Sequence, residues 1–179
     1  MGRAPTQRVE AMPPMRWLAA EQVVTFVLGG QLFALPLATV LEIQQVVEFT
    51  PLPGADPAVL GLLDVRGVLM PAYDLGRLIG LPAVSRGLET PMLICTLSGG
   101  PACFVVEAVR DVIEATAAAA RSSSDAGGSA AYVLGTCQVG EGLAVLLDPD
   151  RLVPESLTMS LHSTAAPVTA AATQGGDRL

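Results

Sequence analysis

Apolar residues in this chain fall in short runs that are broken by turn residues and show no helical period. Val23 to Leu28 leads through Gly29-Gly30 into Leu32 to Leu37, which predicts a strand, a tight turn and a second strand. Val40 to Phe49 is apolar and partly β-branched, and Pro51 and Pro53 close it. Leu60 to Val65 and Val68 to Tyr73 form a further pair about Arg66-Gly67. Met92 to Leu97, Gly99-Gly100 and Ala102 to Val106 repeat the hairpin pattern, and Val109 to Ala115, Tyr132 to Val139 and Leu143 to Leu147 complete the series. Many short strands with regular turn signals predict a mainly β chain built as barrels or a sandwich.

The ends of the chain lack this pattern. Residues 1–20 show no period and contain three prolines, so they are expected to form a flexible arm. The segment Arg121 to Ala130 reads as a mobile loop, and residues 155–179, rich in Ala, Thr, Ser and Gly, as a disordered tail. The folded part is expected over 21–154.

Within it the chain repeats. The hairpin Val23–Leu37 has a counterpart at Met92–Val106, and Val40-Leu41-Glu42-Ile43 has one at Val109-Arg110-Asp111-Val112. Val65-Arg66-Gly67 leads to Asp74-Leu75-Gly76-Arg77-Leu78-Ile79, as Val139-Gly140-Glu141-Gly142 leads to Asp148-Pro149-Asp150-Arg151-Leu152-Val153. In each Asp-x-x-Arg-Leu segment the Asp is placed to accept from the first free N–H groups of a helical turn. A half of about 65 residues buries little core alone, so two related barrels packed together, about 21–90 and 91–154, are the expected architecture.

Composition narrows the function. Hydrophobic residues make up 51% of the chain and charged residues 15%, enough apolar surface for a folded core. The net charge is −7 and every basic residue is Arg, scattered with no basic run, which argues against nucleic-acid or anionic-lipid binding. No apolar run approaches the roughly 20 residues of a membrane span, and no leader pattern is visible, so a cytosolic protein without membrane insertion is expected. Cys95, Cys103 and Cys137 lie in strand-like segments with no Cys-x-x-Cys pair, and read as small buried hydrophobes.

Catalytic chemistry is sparse. The single histidine, His162, falls in the tail, where no fixed triad or metal geometry is possible. With no Lys there is no phosphate-binding Gly-x-x-x-x-Gly-Lys loop. Asp148 with Asp150 is the nearest carboxylate pair, and helix-start chemistry explains it; Asp56 reads as a turn or cap, and Glu107, Asp111 and Glu114 as a solvated strand face. This inventory favours binding over catalysis and calls for no metal or cofactor.

One segment carries a family resemblance. Gly61-Leu62-Leu63-Asp64-Val65-Arg66-Gly67, followed by an apolar strand containing Pro71 and then by Asp74-Leu75, closely resembles the CheW-like domain. The family pattern has Asn-Leu-Arg-Gly where this chain has Asp64-Val65-Arg66-Gly67. Phe26-Val27-Leu28-Gly29, Val40-Leu41-Glu42-Ile43 and Phe104 to Val112 extend the likeness over roughly 21–153.

The resemblance implies two SH3-like five-stranded β-barrels with short helical turns. It also implies a non-enzymatic adaptor that couples methyl-accepting chemoreceptor tips to the regulatory domain of a CheA-type histidine kinase. Such an adaptor works in a cytoplasmic array near the inner membrane, with other CheW-like domains among its partners. Glu42 and Arg66 are expected to pair near the receptor groove, with Val40 and Leu37 as its apolar half and Asp64 as a further specificity residue. Glu42–Arg66 as a tie between strands, and Val40 and Leu37 as plain core, are the open alternatives. Gly61 and Gly67 are expected at tight turns, Pro71 on an edge or bulged strand, and Asp74 and Asp148 at helix starts. Two other functions stay open: a divergent scaffold in a pathway for pili, development or second messengers, and a small hydrolase using Asp148 and Asp150.

Overall fold

The structure, a computed structural model, describes residues 21–115 and 131–157. The arm over 1–20, the loop over 121–130, His162 and nearly all of the tail lie outside the described residues. Ten strands occur among these: β1 (Glu21–Leu28), β2 (Gln31–Pro36), β3 (Val40–Gln45), β4 (Val59–Val65), β5 (Val68–Asp74), β6 (Pro91–Leu97), β7 (Gly100–Val105), β8 (Ala108–Ala115), β9 (Val133–Val139) and β10 (Gly142–Leu147). A 3-10 turn, Leu37–Thr39, precedes β3, and the single-turn helices α1 (Leu75–Leu78) and α2 (Pro149–Leu152) follow β5 and β10. The strands match the apolar runs to within a residue or two, except that β3 stops at Gln45 where the pattern predicts strand to Phe49.

The chain makes two five-stranded sheets, β8-β1-β2-β10-β9 and β3-β6-β7-β5-β4. Each is an SH3-like barrel. In the first, the outer strands β8 and β9 come back into contact. In the second, the chain beyond β3 swings across to β4, where Thr50 and Leu62 exchange two backbone hydrogen bonds of 2.8 Å each. That crossing is why β3 ends early.

The division of the barrels at about residue 90 is corrected by this topology. The β1–β2 hairpin is completed by β8, β9 and β10, and the β6–β7 hairpin by β3, β4 and β5. Each barrel therefore joins the hairpin of one repeat to the last three strands of the other. The joins are the parallel pairs β2–β10 and β5–β7. In sequence, the second barrel lies whole between β2 and β8. The physical reason is the core: Phe26, Leu28, Phe33 and Leu35 of the first barrel pack in one buried cluster with Tyr73, Met92, Leu93 and Phe104 of the second. A smaller cluster of Val23, Ala34, Cys137 and Ala144 fills the first barrel alone.

Asp74 and Asp148 cap the two helices, in different surroundings. Asp74 is 2% exposed, and its two oxygens accept hydrogen bonds from the Arg77 N–H at 3.1 Å and the Val84 N–H at 3.0 Å. Leu75 beside it is fully buried. Asp148 accepts from the Asp150 N–H at 3.1 Å and pairs with Arg151 at 3.3 Å. Partial burial pushes its carboxyl up, against the backbone N–H of Asp150 and the Arg151 charge, which favour the anion. A carboxyl raised in the folded state disfavours folding once pH passes its unfolded titration, and fully so above its folded one.

Asp74→Ala, which strands two N–H groups, is expected to lower stability by about 2–4 kcal/mol. Asp148→Asn keeps the acceptor and removes the desolvated charge, so its expected change is under about 1 kcal/mol, with a steeper rise of stability with pH through the carboxylate range. Urea titrations of both variants between acidic and neutral pH check the contrast.

Pro71 needs a second correction. β5 is an interior strand with β4 on one side and β7 on the other, not an edge. The proline is tolerated because β7 pairs only with Ala72, Tyr73 and Asp74, so at Pro71 the strand has a neighbour on one side only, Leu62 of β4. All three cysteines are buried and free, and burial pushes the Cys95 and Cys103 thiols up to about 12.

Candidate protein-binding site

The second barrel brings together the residues that the sequence singles out. Its outer strands are β3 and β4, and the β4–β5 hairpin turns back through Arg66 and Gly67 between the paired residues Val65 and Val68. Arg66 and Gly67 have φ of 54° and 82°, the left-handed pair of a primed two-residue turn that suits the twist of the strands. At this tip Arg66 extends its guanidinium to Glu42 on β3, Nη2 to Oε1, at 3.2 Å. The contact is single, not bidentate. The Arg66 side chain is 79% exposed and that of Glu42 34%. An ion pair this open adds about 0–1 kcal/mol to stability, so it does little to hold the strands together.

Asp64 sits on β4 two residues before Arg66, and its Oδ1 accepts a 2.8 Å hydrogen bond from the Gly67 N–H. Gly61 is not at a turn. It lies inside β4 at an irregularity in the pairing with β5, with φ 142°. A β-carbon there would stand 2.3 Å from the Thr50 carbonyl oxygen, so the glycine permits the crossing that closes the barrel.

Burial along β3 sets Leu41 and Ile43 beside the apolar residues expected at the site as more exposed ones. Glu42 and Gln44 are on the half-buried side with Val40, while Leu41 and Ile43 point outward. Leu37 and Val40 pack against the shared core. The exposed apolar side chains of this barrel include Leu41, Ile43, Val68 and Leu69, at 62%, 42%, 49% and 60%. Sequence reasoning does not single out Leu41 and Ile43; the available signal is strand alternation, which puts them on the face opposite Glu42.

The acidic residues weighed for catalysis are engaged elsewhere. Asp150 accepts from the Ser98 N–H at 2.6 Å, Asp56 from the Ala58 N–H at 2.8 Å, and Glu107 from the Gly29 N–H at 2.6 Å. Each holds a turn or a helix start. Among the described residues, no group of three or more His, Cys, Asp or Glu side chains is placed to hold a metal ion, and no helix is long and apolar enough to cross a membrane.

The model of the CheW-like domain family matches residues 22–156, which include both barrels and the Glu42–Arg66 rim. The chain belongs to the CheW-like domain family. The chemotaxis protein CheW of Bacillus subtilis is 28% identical over 93 residues, which cover 52% of this CheW-like chain and 60% of that protein. The chemotaxis protein CheW of Klebsiella aerogenes is 24% identical over 135 residues, covering 74% of the chain and 81% of its own length. Against the first curated relatives the matched stretch spans less than two thirds of their length. The crystal structure of the scaffolding protein TtCheW from Thermoanaerobacter tengcongensis superposes with a TM-score of 0.68 at 21% identity, covering 75% of this chain and 92% of that one. That likeness establishes the two-barrel fold.

Proposed function

We propose that this CheW-like chain is a non-enzymatic coupling protein in a cytoplasmic chemosensory array near the inner membrane. It joins chemoreceptor tips to the regulatory domain of a CheA-type histidine kinase. The observation that carries the reading is the exposed Glu42–Arg66 pair on the rim of the second barrel, inside a family match that takes in both barrels. An arginine that is 79% exposed, with one contact to a single carboxylate, keeps most of its N–H donors for a partner. Leu41, Ile43, Val68 and Leu69 give the same barrel exposed apolar side chains, of the kind a protein partner buries.

Arg66→Ala is expected to weaken binding of a purified chemoreceptor cytoplasmic hairpin, or of the kinase regulatory domain, by roughly tenfold, the scale of a moderate interface contact. The melting temperature should move little, because the pair is open to solvent. Calorimetric titration of wild type, Arg66→Ala and Glu42→Gln against each partner is the test. Affinities for both partners unchanged in Arg66→Ala would remove this surface from the account.

A further inference from the structure

The internal repeat sets two hairpin turns side by side for comparison. In the β9–β10 turn the left-handed position is Gly140, φ 56°, and two residues earlier Gln138 donates its side-chain amide to the Gly140 carbonyl at 3.0 Å. In the β4–β5 turn the matching left-handed position is Arg66, φ 54°, the one non-glycine residue with positive φ among those described. A side chain with a β-carbon is disfavoured in that conformation, whereas glycine enters it freely. The residue matching Gln138 is Asp64, and it does what Gln138 does not: its carboxylate accepts the Gly67 N–H at 2.8 Å, inside the turn. Asp side chains stabilise turns by this kind of local bond to a backbone N–H.

We infer that Asp64 is a positioning residue for Arg66. It locks the turn that holds Arg66 left-handed, and so directs the guanidinium across the barrel rim to Glu42. The inference rests on the reading of the Arg66–Glu42 pair as the partner-binding element. It changes the role expected of Asp64 from a partner contact to a clamp behind one. Its carboxylate is committed to the hairpin backbone, while the guanidinium contact of Arg66 goes to Glu42. An Asn side chain offers the same acceptor oxygen, so the oxygen is required here and the negative charge is not. The departure from the family's Asn at this place is then a conservative one.

The test uses the full 179-residue chain and three substitutions, Asp64→Ala, Asp64→Asn and Arg66→Gly. Amide exchange read by nuclear magnetic resonance reports the turn without any partner. In Asp64→Ala the Gly67 amide is expected to exchange roughly tenfold faster, the upper end of what one intramolecular hydrogen bond contributes, and Asp64→Asn should restore its protection. Arg66→Gly should make the turn tolerant, so that adding Asp64→Ala in that background costs clearly less stability than in the wild type. Affinity for a purified chemoreceptor cytoplasmic hairpin should fall about fivefold in Asp64→Ala, in proportion to the lost population of the competent turn, and recover in Asp64→Asn. Unchanged Gly67 exchange in Asp64→Ala overturns the inference, and so does equal destabilisation in both backgrounds. Failure of Asp64→Asn to restore Gly67 protection or affinity also overturns it, because the charge would then be the active property. If exchange behaves as expected while Arg66→Ala leaves binding intact, the clamp stands and it is the partner-binding reading of the pair that falls.

Discussion

Separating the chain between residues 90 and 91 is expected to abolish folding of both pieces, although the internal repeat makes this the natural place to divide it. The fragment 21–90 contains two strands of the first barrel and three of the second. The fragment from 91 onward holds the complement. Each piece therefore exposes strands without partners, and the buried cluster that unites Phe26 and Leu35 with Met92 and Phe104 is split through its middle. Burying a large apolar side chain contributes about 1.5–3 kcal/mol, so losing several such contacts exceeds the whole stability of a small domain. Neither fragment alone should show a cooperative thermal transition by circular dichroism. Mixing the two should restore one, because each hairpin finds its missing strands on the other piece. A monomeric 21–90 fragment that melts cooperatively would contradict the interleaved topology.

Gly61→Ala carries the second large effect. Two penalties add at this position. The backbone sits at φ 142°, where residues with a side chain are strained, and the new methyl would meet the Thr50 carbonyl oxygen at 2.3 Å. Relief requires the Thr50–Leu62 bridge to open, which releases two 2.8 Å backbone hydrogen bonds and the closure of the second barrel with them. The expected loss is about 3 kcal/mol or more. For a chain of this size that corresponds to a fall of roughly 10 °C in Tm. A Gly67→Ala variant is the control: its position is strained at φ 82°, but nothing lies within 4 Å of the added carbon. It should lose less than Gly61→Ala. Scanning calorimetry of the two variants measures the difference, and equal losses would show that the close approach to Thr50 is unimportant.

These expectations mark where the sequence was legible. Strand positions follow from local alternation and from the glycine pairs that punctuate it, and those signals act over a few residues. The caps at Asp74 and Asp148 are equally local. Which hairpin joins which set of strands is decided by packing between residues far apart in the chain, such as Phe33 and Val145 where β2 meets β10, and no periodicity records it. The glycine at 61 announces itself as special, but a turn and a close backbone approach require the same residue. Pro71 reads as an edge signal, yet an interior strand accommodates it because the pairing with β7 begins one residue later. Leu37 in the 3-10 turn and Val40 at the start of β3 are apolar and close to Glu42, which makes them attractive as a binding face; only the structure shows that they are half-buried against the shared core while Leu41 and Ile43 point to solvent. Asp64 was visible as a departure from the family pattern, and the Gly67 N–H that gives it a purpose was not.

One reconstitution tests the coupling role most directly. Membranes or nanodiscs carrying a chemoreceptor are mixed with a CheA-type kinase and with this protein, all from one genome, and the sediment is assayed for both soluble components and for kinase activity. The protein is expected to sediment with receptor and kinase together and to make the kinase responsive to receptor ligand. Arg66→Ala is expected to lower both measures. A protein that stays in the supernatant with either partner present, and leaves kinase activity independent of the receptor, would contradict the coupling role.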